Sequence, residues 1–178
     1  MQVEVEIRSF VDEKQFDSLL KDFNKQNKPV YEDNQITYYF SGSYDLRLQK
    51  NDEFAKVWLK KGSMHDVVRP EIEVMLDKDD AQKMLDILKV VGFDVQIKWL
   101  RKRICFEKDD IFIYFDDTKG YGKIIELEKH VDDSKADETH EMLKRKMNEL
   151  GLKLTPKEEF NKKFEHYKSN WKTLLGED

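Results

Sequence analysis

Two glutamates spaced by one residue occur near the start of the chain, Glu4 and Glu6, and again at Glu126 and Glu128, with Asp116 shortly before the second pair. Between them lie the cations Arg8, Arg47, Lys56, Lys60, Arg69, Arg101 and Arg103. In an extended segment residues i and i+2 share a face, so each glutamate pair forms a compact patch of like charge. Two such charges ~4 Å apart repel by about 4 kcal/mol at an effective dielectric near 20, and a counter-ion must offset this. Carboxylate oxygens suit Mg²⁺ or Mn²⁺, and Mg²⁺ commonly takes one or two carboxylates together with phosphate oxygens and water. The arginines and lysines need an anion in turn. A triphosphate meets both demands, through guanidinium forks on some oxygens and a bridging cation on others.

The elements that must hold these residues are mostly strands. Val3-Glu4-Val5-Glu6-Ile7-Arg8 alternates strictly, and the alternation returns over Gln35–Ser41, Tyr44–Lys50, Glu53–Lys61 and Val67–Leu76. It continues over Val95–Glu107, Ile111–Asp116 and Gly122–Val131, which brings the count to eight antiparallel segments joined by short turns. Four helices are expected. The first starts at Asp12 with a capping box to Gln15, the second follows Asp77 and stops at Gly92, and the third runs from the Ser134–Asp137 region to Gly151. The last has Thr155 as N-cap and Pro156 at its first position, and carries Phe160, Phe164, Tyr167 and Trp171 as a stripe suited to core packing.

Every strand has one oily and one ionised face. A half-buried sheet showing its charges to water is the plainest arrangement for any single strand. Across the set, however, the signs are sorted by strand, acids on the first and eighth and bases on the third, fourth and sixth. Solubilising charge would mix signs. Helices that could cover an apolar outer wall are also present. The expected fold is therefore α+β, a closed eight-stranded antiparallel barrel with the charges inside and peripheral helices outside, formed as one domain over residues 1–178.

Composition narrows the function. A 178-residue chain with 39% hydrophobic and 39% charged residues can bury one core without staples. A net charge of −5 argues against general nucleic-acid binding, and no stretch approaches the ~18 apolar residues of a membrane span. A cytoplasmic location, as monomer or homodimer, is expected. The single Cys105 reads as a packed thiol, and His65, His130, His140 and His166 lack the close spacing of a zinc site.

Certain motifs carry a resemblance. Glu4-Val5-Glu6-Ile7-Arg8 is similar to an E-x-E-x-K mark, and Arg101-Lys102-Arg103, Asp116, Gly120-Tyr121-Gly122 and Glu126-Leu127-Glu128 follow the order K-x-R, D-x-x-x-G-x-G-x-x-x-E-x-E. Leu46-Arg47-Leu48, Leu59-Lys60-Lys61-Gly62 and Arg69-Pro70-Glu71-Ile72-Glu73 match further strand motifs, and Ser169–Leu175 is similar to the ending of the cyclase-like branch. The chain thus resembles, nearly end to end, the CYTH family or triphosphate tunnel metalloenzymes, closest to its class IV adenylyl cyclase-like branch. The resemblance implies Mg²⁺ or Mn²⁺ bound by Glu4, Glu6, Asp116, Glu126 and Glu128. It also implies phosphates held by Arg8, Arg47, Lys60, Arg69, Arg101 and Arg103, with Arg8, Lys60 and Arg103 assigned to the chemical step. Arg8 stands where Lys is usual, Gln49 where a second Arg is common and Ser63 where many relatives have Pro.

The expected activity is metal-dependent hydrolysis of inorganic triphosphate or a nucleoside triphosphate. Two alternatives stay open: cyclisation of ATP to cyclic AMP and pyrophosphate, and a non-catalytic module that binds polyphosphate or a nucleotide.

Overall fold

The computed structural model describes residues 2–60 and 71–177. Eight strands form one antiparallel sheet: β1 (Gln2–Val11), β2 (Tyr31–Phe40), β3 (Asp45–Lys50), β4 (Phe54–Lys60), β5 (Glu71–Asp77), β6 (Val95–Lys108), β7 (Ile111–Thr118) and β8 (Gly122–Asp132). Their order across the sheet is β1-β8-β7-β6-β2-β3-β4-β5. Four helices complete the α+β fold: α1 (Glu13–Gln26), α2 (Ala81–Val90), α3 (Ala136–Glu149) and α4 (Lys157–Leu175). No helix among the described residues is long and apolar enough to cross a membrane.

Local chemistry sets the boundaries. Asp12 accepts from the Gln15 backbone N–H while Gln15 reaches back to the Asp12 N–H, the capping box expected for α1. Asp109 and Asp110 turn β6 into β7 with φ of 57° and 55°, a two-residue hairpin whose left-handed backbone matches strand twist and which Asp tolerates. Thr155 departs from expectation. Pro156 takes the N-cap position of α4, and Thr155 Oγ1 instead accepts the Phe10 N–H at 2.9 Å. With Ser9 donating to the Lys153 carbonyl at 2.5 Å, this ties the entry of α4 to β1.

The outer face is the oily one. Val5 and Ile7 of β1, Phe106 of β6, Phe115 of β7 and Leu127 of β8 pack with Phe16 of α1 and with Leu143 and Met147 of α3. Phe40 and Leu48 pack with Leu85 of α2 on the other half of the sheet. At roughly 1.5–3 kcal/mol per fully buried large apolar side chain, these contacts hold the helices outside and leave the ionised face concave. Helix α4 differs, since Phe160 and Phe164 lie on the concave side with Tyr39, Trp99 and Tyr121.

The expected closed barrel is corrected to a curled half-barrel. β1 and β5 are the two edges of the sheet, and no ladder joins them among the described residues. Alternation shows which face of a strand is apolar but not which strand its free edge meets. The outward side chains Ile72 and Val74 of β5 stay 55% and 56% exposed, so little apolar burial presses that edge toward β1.

Candidate active site

The concave face encloses a cavity of about 660 Å³. Its lining brings together Glu4, Glu6 and Arg8 of β1, Arg47 of β3, Lys56 and Lys60 of β4, Arg101 and Arg103 of β6, Asp116 of β7 and Glu126 and Glu128 of β8. Arg69 lies outside the described residues. Pairing register explains the acidic concentration: β1 and β8 place Glu6 opposite Glu128, Arg8 opposite Glu126 and Glu4 opposite His130.

One wall is an ion network. Arg103 donates from Nε to Asp116 Oδ1 at 2.7 Å and from Nη2 to Asp116 Oδ2 at 2.6 Å and Glu126 Oε1 at 3.0 Å. Its guanidinium carbon lies 4.1 Å from the Tyr114 ring centroid. Arg101 donates from Nη1 to Asp116 at 3.1 Å, and from Nε and Nη2 to Gln35 Oε1 at 2.9 and 2.6 Å. Gln35 in turn donates to Asp33 at 2.8 Å, as does Asn51 at 3.0 Å. Asp33 and Gln35 were not among the expected site residues, although their alternation along β2 with Thr37 and Tyr39 was a usable signal.

Burial and charge then separate the carboxylates. Burial drives the Asp116 carboxyl up, but Arg101 and Arg103 outweigh it and hold the group below the ordinary range. Glu6 follows the same logic, with Arg8 and Lys60 overcoming burial. Burial raises Glu126 despite the opposing Arg103, and pushes Glu128 up to about 7, with the Glu126 charge adding to the effect.

Oxygens of Glu6, Glu126 and Glu128 lie within 4.8 Å of one another. An all-oxygen set of three carboxylates this close together fits a hard divalent cation, which would offset their mutual repulsion. Asp116 is brought to the arginines rather than into this group. A second group does contain a residue the sequence reading set aside: Glu4, Glu128 and His130.

The opposite wall and one end have another character. Arg47 makes a two-pronged pair with Asp45 at 2.7 Å on each prong and sits 4.4 Å from the Tyr39 ring centroid. Lys56 meets Glu73 at 2.6 Å and lies 4.8 Å from the Trp58 ring centroid. Beyond them Tyr39, Trp99, Tyr121, Phe160 and Phe164 form an aromatic end to the cavity. The α4 stripe packs as expected, and two of its rings also line the site.

A curled antiparallel sheet whose concave face pairs glutamates with arginines and lysines is a fold built around a charged cavity. The CYTH domain model matches residues 2–160, and the chain belongs to that family. It is 32% identical over 143 residues to "Putative adenylate cyclase MJ0240" of Methanocaldococcus jannaschii, covering 74% of this chain and 79% of that protein. A conserved hypothetical protein from Pyrococcus furiosus has the same fold, with a TM-score of 0.73 at 22% identity over 84% of this chain and 91% of that one. So does a Hippeastrum protein whose structure is described as revealing a dominant triphosphatase activity, with a TM-score of 0.63 at 17% identity over 85% and 89% of the two chains.

Proposed function

We propose that the protein is a divalent-cation-dependent enzyme that hydrolyses a phosphoanhydride bond of a triphosphate-bearing small molecule. The observation that carries this reading is the single cavity in which clustered Glu6, Glu126 and Glu128 face Arg8, Lys60, Arg101 and Arg103. A bound Mg²⁺ or Mn²⁺, held by Glu4, Glu6, Glu126 and Glu128, would supply Lewis-acid polarisation of phosphoryl oxygen. Arg8, Lys60 and Arg103 lie where charge developing on the transferred phosphoryl group would be stabilised by fixed donors. Arg47, Lys56, Arg69 and Arg101 bind the remaining phosphates, and Asp116 acts by orienting the two arginines on β6. No protein nucleophile enters: Cys105 is fully buried, and burial pushes its thiol up to about 11.

A second reading, cyclisation of ATP, is favoured by the aromatic end of the cavity, which offers a ring-binding surface beside the phosphate cations, and by the name of the M. jannaschii relative. Incubation with ATP and Mn²⁺ followed by chromatographic separation decides between them. Phosphate with a diphosphate is the expected outcome. Cyclic AMP formed in equal amount with pyrophosphate, without free phosphate, replaces the first reading with the second.

A further inference from the structure

His130 lies on β8 two residues beyond Glu128, on the same face, and directly across the ladder from Glu4. Its Nε2 stands 3.0 Å from Glu128 Oε1, and a ring nitrogen of His130 and oxygens of Glu4 and Glu128 all lie within 4.8 Å of one another. Phe112 meets the imidazole edge-on at a ring-centroid distance of 6.5 Å with the planes at 80°. Imidazole nitrogen and carboxylate oxygen both bind first-row cations at about 2.0–2.2 Å, so neighbouring ligands of an octahedral ion stand about 3 Å apart. The Nε2 to Oε1 spacing is of that size.

We infer that His130, with Glu4 and Glu128, forms a mixed nitrogen and oxygen cation position beside the acidic end of the cavity, with the imidazole half exposed, which prefers a first-row transition ion such as Mn²⁺ over Mg²⁺. The Glu6, Glu126 and Glu128 group is purely oxygen and has no reason to discriminate in this way, whereas an imidazole ligand favours transition ions over Mg²⁺. Glu128 belongs to both groups and would link them. This inference rests on the proposed reading of Glu4 and Glu128 as cation ligands.

The test uses tag-free, substrate-free protein with substoichiometric Mn²⁺ and reads nitrogen coordination directly by pulsed electron paramagnetic resonance. The expected result is a ¹⁴N coupling of a directly bound imidazole, changed to a ¹⁵N pattern when histidine is ¹⁵N-labelled and absent in His130→Gln. The same substitution should weaken Mn²⁺ binding by at least about tenfold, the lower end of the effect of disturbing a ligand environment, while Mg²⁺ binding changes far less. Bound Mn²⁺ without nitrogen coupling, or a coupling that survives His130→Gln, overturns the inference and leaves the carboxylate reading standing. Failure of the wild-type protein to bind Mn²⁺ at all overturns both.

Discussion

The two walls of the cavity use the same residue types for different ends. On β6 and β7, Arg103 and Asp116 have side chains only 12% and 3% exposed and satisfy each other through two hydrogen bonds, with Glu126 completing the set. On β4 and β5, Lys56 and Glu73 are 24% and 37% exposed and meet through one contact. A buried pair is costly to break because the surviving partner stays desolvated, whereas a half-open pair can exchange one partner for an incoming anion at little cost. Charge and inward orientation alone therefore do not show how readily a side chain can meet an anion. Position relative to the sheet's closed middle and its open edge separates cations fixed before an anion arrives, Arg103 among them, from those that must exchange a partner to meet one.

Arg103→Met should have the largest effect on stability. Removing the cation leaves Asp116 and Glu126 buried together, and loss of one partner from a buried pair typically costs about 3–5 kcal/mol. Denaturant unfolding should show that loss, whereas Lys56→Met should stay within about 1 kcal/mol of wild type. Equal effects for the two substitutions would erase the distinction between the walls.

Glu128→Gln should act next most strongly, and with a pH signature. In the folded protein the Glu128 carboxyl is raised to about 7 from an ordinary value of 4.5, so the folded state holds a proton that the unfolded state releases first. Below pH 4.5 both states are protonated and the stability contributed by the neutral carboxyl is present in full. As pH rises through 7 the folded protein loses that advantage, which at about 1.4 kcal/mol per pKa unit amounts to on the order of 3 kcal/mol. In EDTA the variant should therefore melt above wild type at pH 8 and level with it near pH 4, and turnover in Mg²⁺ should fall. Divalent cation should raise the wild-type melting temperature at pH 8 more than that of the variant. Identical melting curves across the pH range would remove the like-charge repulsion from the acidic end.

Much of this contrast was legible in the sequence, and the missing part has a common cause. Alternation in Val3–Arg8 and the sorting of sign by strand placed Glu4, Glu6, Arg8, Arg47, Lys56, Lys60, Arg101, Arg103, Asp116, Glu126 and Glu128 on one face, and the cavity collects all of them. The Asp12 and Gln15 capping box was equally plain, because it is local. Cross-strand relations were not. His130 was judged by its distance from other histidines, while its partner Glu4 lies 126 positions away in the sequence and opposite it in the ladder. The open edge between β1 and β5, the diversion of Thr155 to Phe10 and the seating of Phe160 and Phe164 inside the concavity likewise depend on which distant segments meet. A period of two reports a face and is silent about neighbours.

On β3, Arg47→Ala should weaken triphosphate binding by about 1.5–3 kcal/mol, the usual worth of a hydrogen bond to a charged group. Stability should also fall, because the Asp45 carboxylate left behind is only 10% exposed, but less than in Arg103→Met, which strands two carboxylates, Asp116 and Glu126, rather than one. Calorimetric titration with inorganic triphosphate beside a melting curve measures both. Loss of stability without loss of affinity would place Arg47 with the structural network and move the binding wall elsewhere.

The aromatic end should contribute less, through ring contact beyond packing. Phe164 is buried against Trp99 and Tyr39 and lines the cavity on the far side of the arginines from Glu4 and Glu128. Phe164→Leu keeps an apolar side chain but removes one π-face, which in ring-to-ring contacts contributes about 0.5–1.5 kcal/mol beyond burial. A triphosphate carrying a nucleobase would feel that loss as an increase in KM of about two- to tenfold, obtained from the same energy range. Inorganic triphosphate has no ring to stack and its KM should remain unchanged. Parallel assays of the two substrates therefore separate a cavity that reads an organic group from one that reads the phosphate chain alone. Equal KM values for ATP in variant and wild type would assign Phe164 to the fold and leave the phosphate chain as the recognised feature.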